Sequence, residues 1–362
     1  MPTDWTKLQS QTIDLLRFPM AVAVVVLHFG TTITINASGL LKVLCVIFQE
    51  GICRLAVPCF FFISGYLFFH HLQRWDWTIW KGKIRRRVRT LIIPYFLWII
   101  ITLIVRWIYT VLQGESISLL QQFEQCGGIR IFWGTAGKLP ISVRDAPLDG
   151  PLWFVRDLIY LTIATPVIYF FITRTRGYGI LLTFLLFLFV QGIIPEGFAF
   201  YGIGAYLQLE KKNILELCWP KRRFFYLSSA ILLIAFFYFF HFDFWGRFIK
   251  SIFLVSGIGS SFCLGAWLIQ NKKIQVRPFF VQSSFFIFAT HEILILRQIA
   301  GPLVQHILPA GPGWMCLNFF LTPTVAVSIC LGLLFIMSRL LPRTTAILTG
   351  SRYITTPRNS LL

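Results

Sequence analysis

The chain has 362 residues, of which 56% are hydrophobic and 13% are charged, and its mean hydropathy is +0.73. This composition excludes a soluble globular domain and is typical of an integral membrane protein. The formal net charge of +19 does not indicate nucleic-acid binding, because the basic residues lie in short clusters between apolar runs, where they act as topology signals or phosphate contacts.

Apolar runs long enough to cross a hydrocarbon core of about 30 Å predict an all-α membrane bundle with about ten transmembrane helices. The predicted helices cover residues 13–31, 52–71, 91–112, 153–173, 178–194, 197–210, 224–241, 251–270, 279–298 and 314–338. The Pro-Glu-Gly sequence at 195–197 is the only break between the fifth helix and the sixth, which is short. Residues 1–345 are predicted to form one transmembrane domain with a polar loop at 113–152, followed by a short tail at 346–362.

The positive charges predict the orientation of these helices. If the N-terminus is cytoplasmic, the inner segments contain 22 of the 33 Lys and Arg residues, and the outer segments contain six. We therefore expect both termini to be cytoplasmic, the tail included, and the 113–152 loop to lie outside. A charge within a membrane helix is costly and needs a reason. The arginines within or at the ends of the helices are Arg17, Arg54, Arg106, Arg156 and Arg297.

The first helix carries Arg17 and His28 in an otherwise apolar run. They share one face, because eleven residues turn an α-helix by about 20° more than three full turns, and they are about 16 Å apart along the axis. In the predicted orientation His28 lies ~22 Å from the inner end of its helix, and His291 lies ~18 Å from the inner end of the ninth helix. Two histidines at a similar depth in the outer half, beside carboxylates, favour a polar cavity over a merely structural role.

The basic run KIRRRVR at 83–89 is expected at the inner face, next to Arg17. One interpretation is an anchor against anionic lipid headgroups. The other is a binding site for a long ligand whose phosphates stay at the inner face while its reactive end reaches the middle of the membrane. The position of Arg17 on the His28 face favours the second interpretation. The eight cysteines show no C-x-x-C spacing, and no metal site is predicted.

Short motifs extend in a fixed order over nearly the whole chain. They are TIDLLRFPMAVAVVVLHFG (12–30) with Asp14, Arg17 and His28, VPCFFFISGYLF (57–68) with Ser64 and Tyr66, RRRVRTLIIPYFLW (85–98) with Arg86 and Arg89, PLWFVRDLIYL (151–161), FYGIGAYL (200–207) and SSFFIFATHEI (283–293). In this order they resemble acyltransferase family 3, the polytopic bacterial membrane acyltransferases that modify surface glycans. Leu15 and Pro19 depart from the family pattern, but neither belongs to the ionisable pair.

The resemblance implies an acyl-coenzyme A donor, usually acetyl-CoA, that enters from the cytoplasm, and a hydroxyl acceptor on a carbohydrate or lipid-linked saccharide. It implies that His28 is the catalytic histidine and that Arg17 helps to hold the donor, and we expect Arg86 and Arg89 to contact the donor as well. Membrane lipids are the other expected partners, a homo-oligomer is left open, and neither a permanently bound cofactor nor nucleic acid is expected. The expected location is the cytoplasmic (inner) membrane of a bacterium.

A neutral imidazole in a low-dielectric site can take the proton of a sugar hydroxyl as that hydroxyl attacks the thioester. This direct transfer is favoured over acylation of His28 itself. Acyl transfer also needs a hydrogen-bond donor for the developing oxyanion, and Ser64, Tyr66 and amides at helix ends are the alternatives. Asp14 is assigned a supporting role beside Arg17.

The acceptor is expected to bind near the outer loop. Trp153, Arg156 and Asp157 begin the fourth helix directly after that loop, although an interfacial tryptophan beside a local ion pair would give the same pattern. His291 and Glu292 are assigned to the same acceptor site. Glu292 points about 100° away from His291 on a helix, which leaves it open to an arginine from another helix.

Two rival functions share these features. A transporter would also place charges inside a helical bundle, but without donor binding or a phosphate-binding end. An enzyme of the same fold could instead use succinyl-CoA as the donor or an amino acid as the acceptor. A further cation near the thioester would favour succinyl-CoA, and the sequence alone does not place one.

Overall fold

A computed structural model of the chain describes residues 4–30, 39–70, 72, 74–134, 146–190, 193–308 and 312–350. Within these ranges the chain forms helices joined by short connections and contains no strand. The helices are, in chain order, α1 (Trp5–Gly30), α2 (Gly39–Val43), α3 (Ala56–Phe69), α4 (Trp77–Arg87), α5 (Ile93–Leu112), α6 (Leu119–Gln125), α7 (Trp153–Ile163), α8 (Thr165–Val190), α9 (Ile193–Leu209), α10 (Ile214–Cys218), α11 (Arg222–Phe239), α12 (Asp243–Gln270), α13 (Pro278–Thr290), α14 (Gly301–Ile307), α15 (Pro312–Leu340) and α16 (Pro342–Leu348). Residues 135–145 of the predicted loop and 351–362 of the predicted tail lie outside the described ranges.

Eight helical stretches in the described part of the chain are long and apolar enough to cross a membrane by length and composition. They are Trp5–Phe29, Gly39–Phe69, Trp77–Leu112, Thr165–Val190, Ile214–Phe239, Asp243–Gln270, Pro278–Ile307 and Trp314–Leu340. The prediction of an all-α, multi-pass membrane bundle is therefore confirmed. Several stretches extend beyond the predicted limits, because polar residues such as those of α4 continue the helix past the apolar run.

The predicted fourth helix covers α7 and the first part of α8, the fifth covers the second part of α8, and the sixth corresponds to α9. α8 is broken at Arg176, whose φ of 51° and ψ of −135° are not helical, and this break falls between the predicted ends at 173 and 178. The predicted boundary between the fourth and fifth helices therefore coincides with a break inside the single spanning stretch Thr165–Val190. α9 has 17 residues and a length of about 25 Å, which is shorter than a hydrocarbon core of about 30 Å.

Three segments between the α-helices are wound as π-helix, in which each N–H bonds to the carbonyl five residues earlier. They cover Leu44–Gln49, Val88–Ile92 and His291–Ala300. Segments of this kind occur frequently at functional sites, because the wider turn redirects side chains. The third segment begins at one of the two histidines that the sequence singles out.

α1 is surrounded by other helices and packs against α3, α12, α13 and α15. One apolar contact joins Ala21 and Val25 of α1 to Ile287 of α13 and Cys330 of α15, all without exposed surface. With neighbours on several sides, a polar group of α1 must find its hydrogen-bond partners inside the protein.

α3 and α9 approach each other until their backbones touch. A Cβ atom on Gly65 of α3 would lie 2.1 Å from the carbonyl oxygen of Tyr201, and one on Gly204 of α9 would lie 2.1 Å from the carbonyl oxygen of Phe62. Small residues allow such contacts between membrane helices, where lipid removes the usual hydrophobic drive for association. These two glycines belong to the ISGY and GIGA sequences, so part of the motif pattern serves packing.

We predict that Gly204→Ala destabilises the protein by about 1–3 kcal/mol or more, because the added methyl group meets a carbonyl oxygen fixed in the α3 backbone. The measurement is the apparent melting temperature of the purified protein in detergent. Gly332→Ala in α15 is the matched control, because a Cβ there meets no atom within 4 Å and alanine favours the helix. Equal melting temperatures of Gly204→Ala and the parent would contradict a tight α3–α9 contact.

Candidate active site

The structure brings His28 of α1 and His291 together, although 263 residues separate them in the chain. His28 Nδ1 lies 3.2 Å from His291 Nε2, and the ring centroids are 5.0 Å apart. The π-helical segment that begins at His291 follows α13, which packs beside α1. The two histidines, which lie on neighbouring helices, therefore form one site.

The two imidazole rings differ in whether a ring nitrogen remains free for a further hydrogen bond. His291 has no exposed surface, and its Nδ1 lies 2.9 Å from the carbonyl oxygens of both Ile287 and Phe288. His28 is half-buried, and its Nδ1 lies 2.9 Å from the carbonyl oxygen of Val24. Within the described chain, Nε2 of His28 makes no hydrogen bond. His28 is therefore the histidine with a ring nitrogen available to a substrate.

A cavity of about 200 Å³ lies among α1, α3, α4, α7 and α13. Arg17 and Arg87 supply the charged groups of its wall, and most of the other lining side chains are apolar. Phe288 also lines the cavity, and the centroid of its ring is 6.2 Å from that of His291. Arg17 and His28 are about 16 Å apart on α1. Neither His28 nor His291 is among the described lining residues, so the cavity reaches from the two arginines to Phe288, which lies beside His291.

The arginines predicted to contact the donor do not all reach this cavity. Arg17 lines it and forms an ion pair with Asp14, with 3.2 Å between Nη1 and Oδ1. Arg86 and Arg89 are exposed and do not belong to the lining. Arg87, which the sequence argument did not select, is half-buried and lies close enough to Arg17 for their positive charges to repel each other. Two nearby cations facing one cavity form a binding site for an anion.

The two hydroxyl groups considered for the oxyanion lie in different surroundings. Ser64 is on the cavity wall. Tyr66 is buried and is not among the lining residues. Its hydroxyl accepts a hydrogen bond from Gln9 at 2.9 Å and donates one to the carbonyl of Lys212 at 3.3 Å. Gln9 in turn accepts from the backbone N–H of Ile214 at 2.6 Å. The Tyr66 hydroxyl therefore joins α1, α3 and the α9–α10 connection.

Trp153, Arg156 and Asp157 lie together at the start of α7. Arg156 Nε is 2.8 Å from Asp157 Oδ1, and Arg156 Nη1 donates to the carbonyl oxygen of Trp133 in the preceding loop. Arg156 and Asp157 are buried, whereas Trp153 is half-buried. Asp157 Oδ2 is buried without a hydrogen-bond partner in the described part of the protein. A buried oxygen of this kind is a position where a ligand hydroxyl can donate a hydrogen bond.

Glu292 pairs with an arginine of its own segment and not with one from another helix. Arg297 Nη2 donates to Glu292 Oε1, and the carboxylate is buried while the guanidinium is exposed. The two residues are five positions apart, which places them on the same side of a π-helix but not of an α-helix. The expectation of a partner from another helix assumed α-helical geometry, and it is wrong for this reason.

Asp149 adds a second carboxyl group beside Glu292. It is 2% exposed, and Thr102 Oγ1 lies 3.5 Å from its Oδ2, which is a weak contact. The neighbouring Gly150 lies so close to Glu292 that a Cβ there would be 2.7 Å from Oε2. Burial raises the pKa of Asp149 well above its usual range, and the nearby charge of Glu292 raises it further.

Arg87 and Asp149 belong to the site although they are not among the residues predicted from the sequence. Arg87 begins a stripe of residues three to four positions apart, in which Leu91, Tyr95 and Trp98 are buried. A search for this spacing within the basic run would have selected Arg87 instead of its neighbours. No periodicity marks Asp149, because it lies in the loop that was treated as solvent-exposed.

We predict that Asp149→Asn gains stability relative to the parent as the pH rises. A raised pKa means that the folded protein holds this proton more tightly than the unfolded chain, so the parent loses stability from about pH 4 up to the raised value. The asparagine side chain cannot titrate, and its shape is nearly the same as that of aspartic acid. The apparent melting temperature from pH 5 to 8 measures the difference, with the exposed Asp243→Asn as the control. A difference between Asp149→Asn and the parent that does not change with pH would contradict the prediction.

The part of the chain that contains this site matches a known protein family. The family model described as an acyltransferase domain matches residues 11–339. Succinoglycan biosynthesis protein ExoH from Rhizobium meliloti (strain 1021) is 24% identical over 338 residues, which cover 87% of this chain and 84% of that protein. No solved structure matches the chain. Because the family match covers nearly all of the helical bundle, including both histidines and both cavity arginines, the chain belongs to the acyltransferase 3 family and is a multi-pass membrane acyltransferase.

Proposed function

We propose that the protein transfers an acyl group, in particular acetyl, from acyl-CoA to a hydroxyl of a surface or lipid-linked saccharide. Two observations carry this proposal: the cavity lined by Arg17 and Arg87, which reaches Phe288 beside His291, and His28 Nε2, which has no hydrogen-bond partner in the described chain. The name of the similar protein, which refers to succinoglycan biosynthesis, supports a saccharide acceptor.

Arg17 and Arg87 hold the phosphates of coenzyme A in this proposal. Guanidinium groups bind phosphate by charge-assisted, often bidentate hydrogen bonds. The cavity of about 200 Å³ is smaller than the roughly 300–1,000 Å³ of pockets that enclose a whole drug-sized ligand. It therefore suits the narrow pantetheine arm, while the nucleotide stays at the arginine end. The distance of about 16 Å from Arg17 to His28 along α1 is the span that this arm must cover.

His28 acts first as a base and then as an acid. Its Nε2 takes the proton of the acceptor hydroxyl, and the oxygen forms a bond to the thioester carbonyl carbon. The carbon–sulfur bond then breaks, the carbonyl re-forms, and the proton on Nε2 passes to the leaving sulfur, which gives the ester and free CoA. Of the two side chains proposed for the oxyanion, Ser64 lies on the cavity wall and fits this role.

The lining of the cavity favours acetyl over succinyl. A succinyl group carries a second carboxylate, which needs a cation near the thioester. Of the described residues that line the cavity, only Arg17 and Arg87 are cations, and the proposal assigns both to phosphates. The lining residue beside His291 is Phe288, whose aromatic ring packs against that of Phe154, so this part of the wall is apolar.

The acceptor site is proposed at the start of α7 and beside the third π-helical segment, with Trp153, Arg156, Asp157 and Glu292. The unpartnered Oδ2 of Asp157 supports a hydrogen bond from a sugar hydroxyl, and Trp153 offers an aromatic face. The distribution of Lys and Arg supports a bacterial cytoplasmic membrane with the arginine end of the cavity inside. The donor then enters from the cytoplasm and the acceptor from the opposite side.

We predict that His28→Ala lowers the rate of acyl transfer by at least about 10²–10⁴-fold, which is the usual contribution of a general base. The assay follows release of CoA and acylation of saccharide extracts by the purified protein in nanodiscs. His241→Ala is the matched control, because His241 is exposed at the end of α11. Parental activity in His28→Ala would exclude His28 as the base.

We predict that Arg17→Gln and Arg87→Gln each weaken acyl-CoA binding by about 10- to 100-fold, because each removes a charge-assisted phosphate contact of about 1.5–3 kcal/mol. Calorimetric titration with a non-hydrolysable acyl-CoA gives the affinity. Arg86→Gln is the control from the same helix, and a change below about threefold is expected because Arg86 is exposed and outside the cavity. A larger loss in Arg86→Gln than in Arg87→Gln would assign donor binding to the exposed arginines.

A further inference from the structure

Backbone carbonyl groups determine where the hydrogens of the histidine pair lie. Nδ1 of His291 is 2.9 Å from the carbonyl oxygens of Ile287 and Phe288. If Nδ1 carried a lone pair, that lone pair would be repelled by the lone pairs of both carbonyl oxygens. Nδ1 of His291 therefore carries the hydrogen and donates it. In a neutral imidazole the second nitrogen is then an acceptor. His291 therefore presents the lone pair of its Nε2 to His28.

The neighbouring hydrogen-bond acceptors also determine which ring nitrogen of His28 carries the hydrogen. Its Nδ1 is 2.9 Å from the carbonyl oxygen of Val24 and 3.2 Å from His291 Nε2, and both of these atoms are acceptors. Nδ1 of His28 therefore carries the hydrogen and shares it between them. The lone pair of His28 is left on Nε2, which is the atom a general base needs.

We infer that His291 is a positioning residue: by accepting the Nδ1 hydrogen of His28, it holds that ring in the tautomer and orientation in which Nε2 is the base. This inference rests on the proposed function of His28. It differs from the direct acceptor contact expected for His291 from the sequence, because His291 has no exposed surface and both of its ring nitrogens are engaged.

The contact with His291 ties the His28 ring to a second helix, which the Val24 carbonyl cannot do. Val24 lies one turn earlier on α1 itself, so its bond favours the tautomer but does not tie the ring to the rest of the site. His291 belongs to a segment joined to α13, whose residues also line the cavity. Two acceptors from two helices restrict the ring to one plane.

The bond also becomes stronger during the reaction. When His28 accepts a proton on Nε2, its ring is positively charged and the bond from Nδ1 to His291 becomes charge-assisted. An interaction that is stronger in the transition state than in the ground state raises kcat and leaves substrate binding unchanged. A role of His291 in binding the acceptor would change KM instead.

His291→Gln and His291→Met form the test, because both side chains reach about as far as the imidazole and only glutamine has an oxygen that accepts a hydrogen bond. We expect kcat to fall about 10- to 100-fold in His291→Met and less than about fivefold in His291→Gln. The KM values for acyl-CoA and for the acceptor should stay within about threefold in both. The loss in His291→Met should be smaller than in His28→Ala, which removes the base itself.

Nitrogen-15 labelling of histidine gives a readout independent of activity. The His28 resonances, assigned by their loss in His28→Ala, should show a protonated Nδ1 and an unprotonated Nε2 in the parent and in His291→Gln. His291→Met should show a mixture of the two tautomers. A purely structural role would instead lower the melting temperature and kcat of both His291 variants together, without a change of tautomer.

The outcomes separate the two proposals. Parental activity in His28→Ala overturns the proposed function of His28. If His28→Ala is inactive but His291→Gln and His291→Met have equal kcat values, the positioning role alone is overturned. A raised acceptor KM with unchanged kcat in His291→Met would return His291 to the acceptor site, and an Nε2-protonated His28 in the parent would also contradict the inference.

Discussion

A bilayer offers no hydrogen bonds to the side chains that it surrounds, so each polar group among these helices must be satisfied by the protein itself. The two histidines meet this requirement with backbone carbonyls of their own helices and with each other. Asp14 and Glu292 meet it with arginines one helical turn away. These polar groups therefore come in mutually dependent pairs, and His28 Nε2 and Asp157 Oδ2 are the atoms of the candidate site that have no hydrogen-bond partner in the described chain.

Close packing gives these pairs their rigidity. Gly65 and Gly204 let α3 touch α9 at the backbone, and the Tyr66 hydroxyl next to Gly65 connects α3 to α1 through Gln9. The helix that carries the proposed base thus packs against both α3 and α13. The ISGY sequence therefore combines two tasks, because Ser64 lines the cavity while the neighbouring Gly65 permits the contact between α3 and α9.

The sequence was sufficient to predict the helical membrane fold, the shared face of Arg17 and His28 and the similar depth of the two histidines, because these follow from hydropathy and from the regular geometry of the α-helix. It was insufficient where that regularity fails. The π-helical turn changes which residues are neighbours, so the partner of Glu292 was wrongly expected on another helix. Which of four nearby arginines faces the cavity depends on the rotation of one helix, and the buried position of Asp149 depends on how a loop folds.

The burial of that loop has an evolutionary consequence. Residues 146–152 connect two membrane crossings, yet Leu152 has no exposed surface, Asp149 has almost none, and Gly150 touches Glu292. If the saccharide binds where we propose, one wall of its site is made by a connection and the thioester site by helices. A connection packed this tightly tolerates insertions less readily than an exposed loop does, because its residues contact helices that must stay in place. Under the proposed function, variation in this short segment would therefore alter the acceptor side of the site through its contact with Glu292, whereas the arginines and His28 proposed to handle the donor lie on other elements.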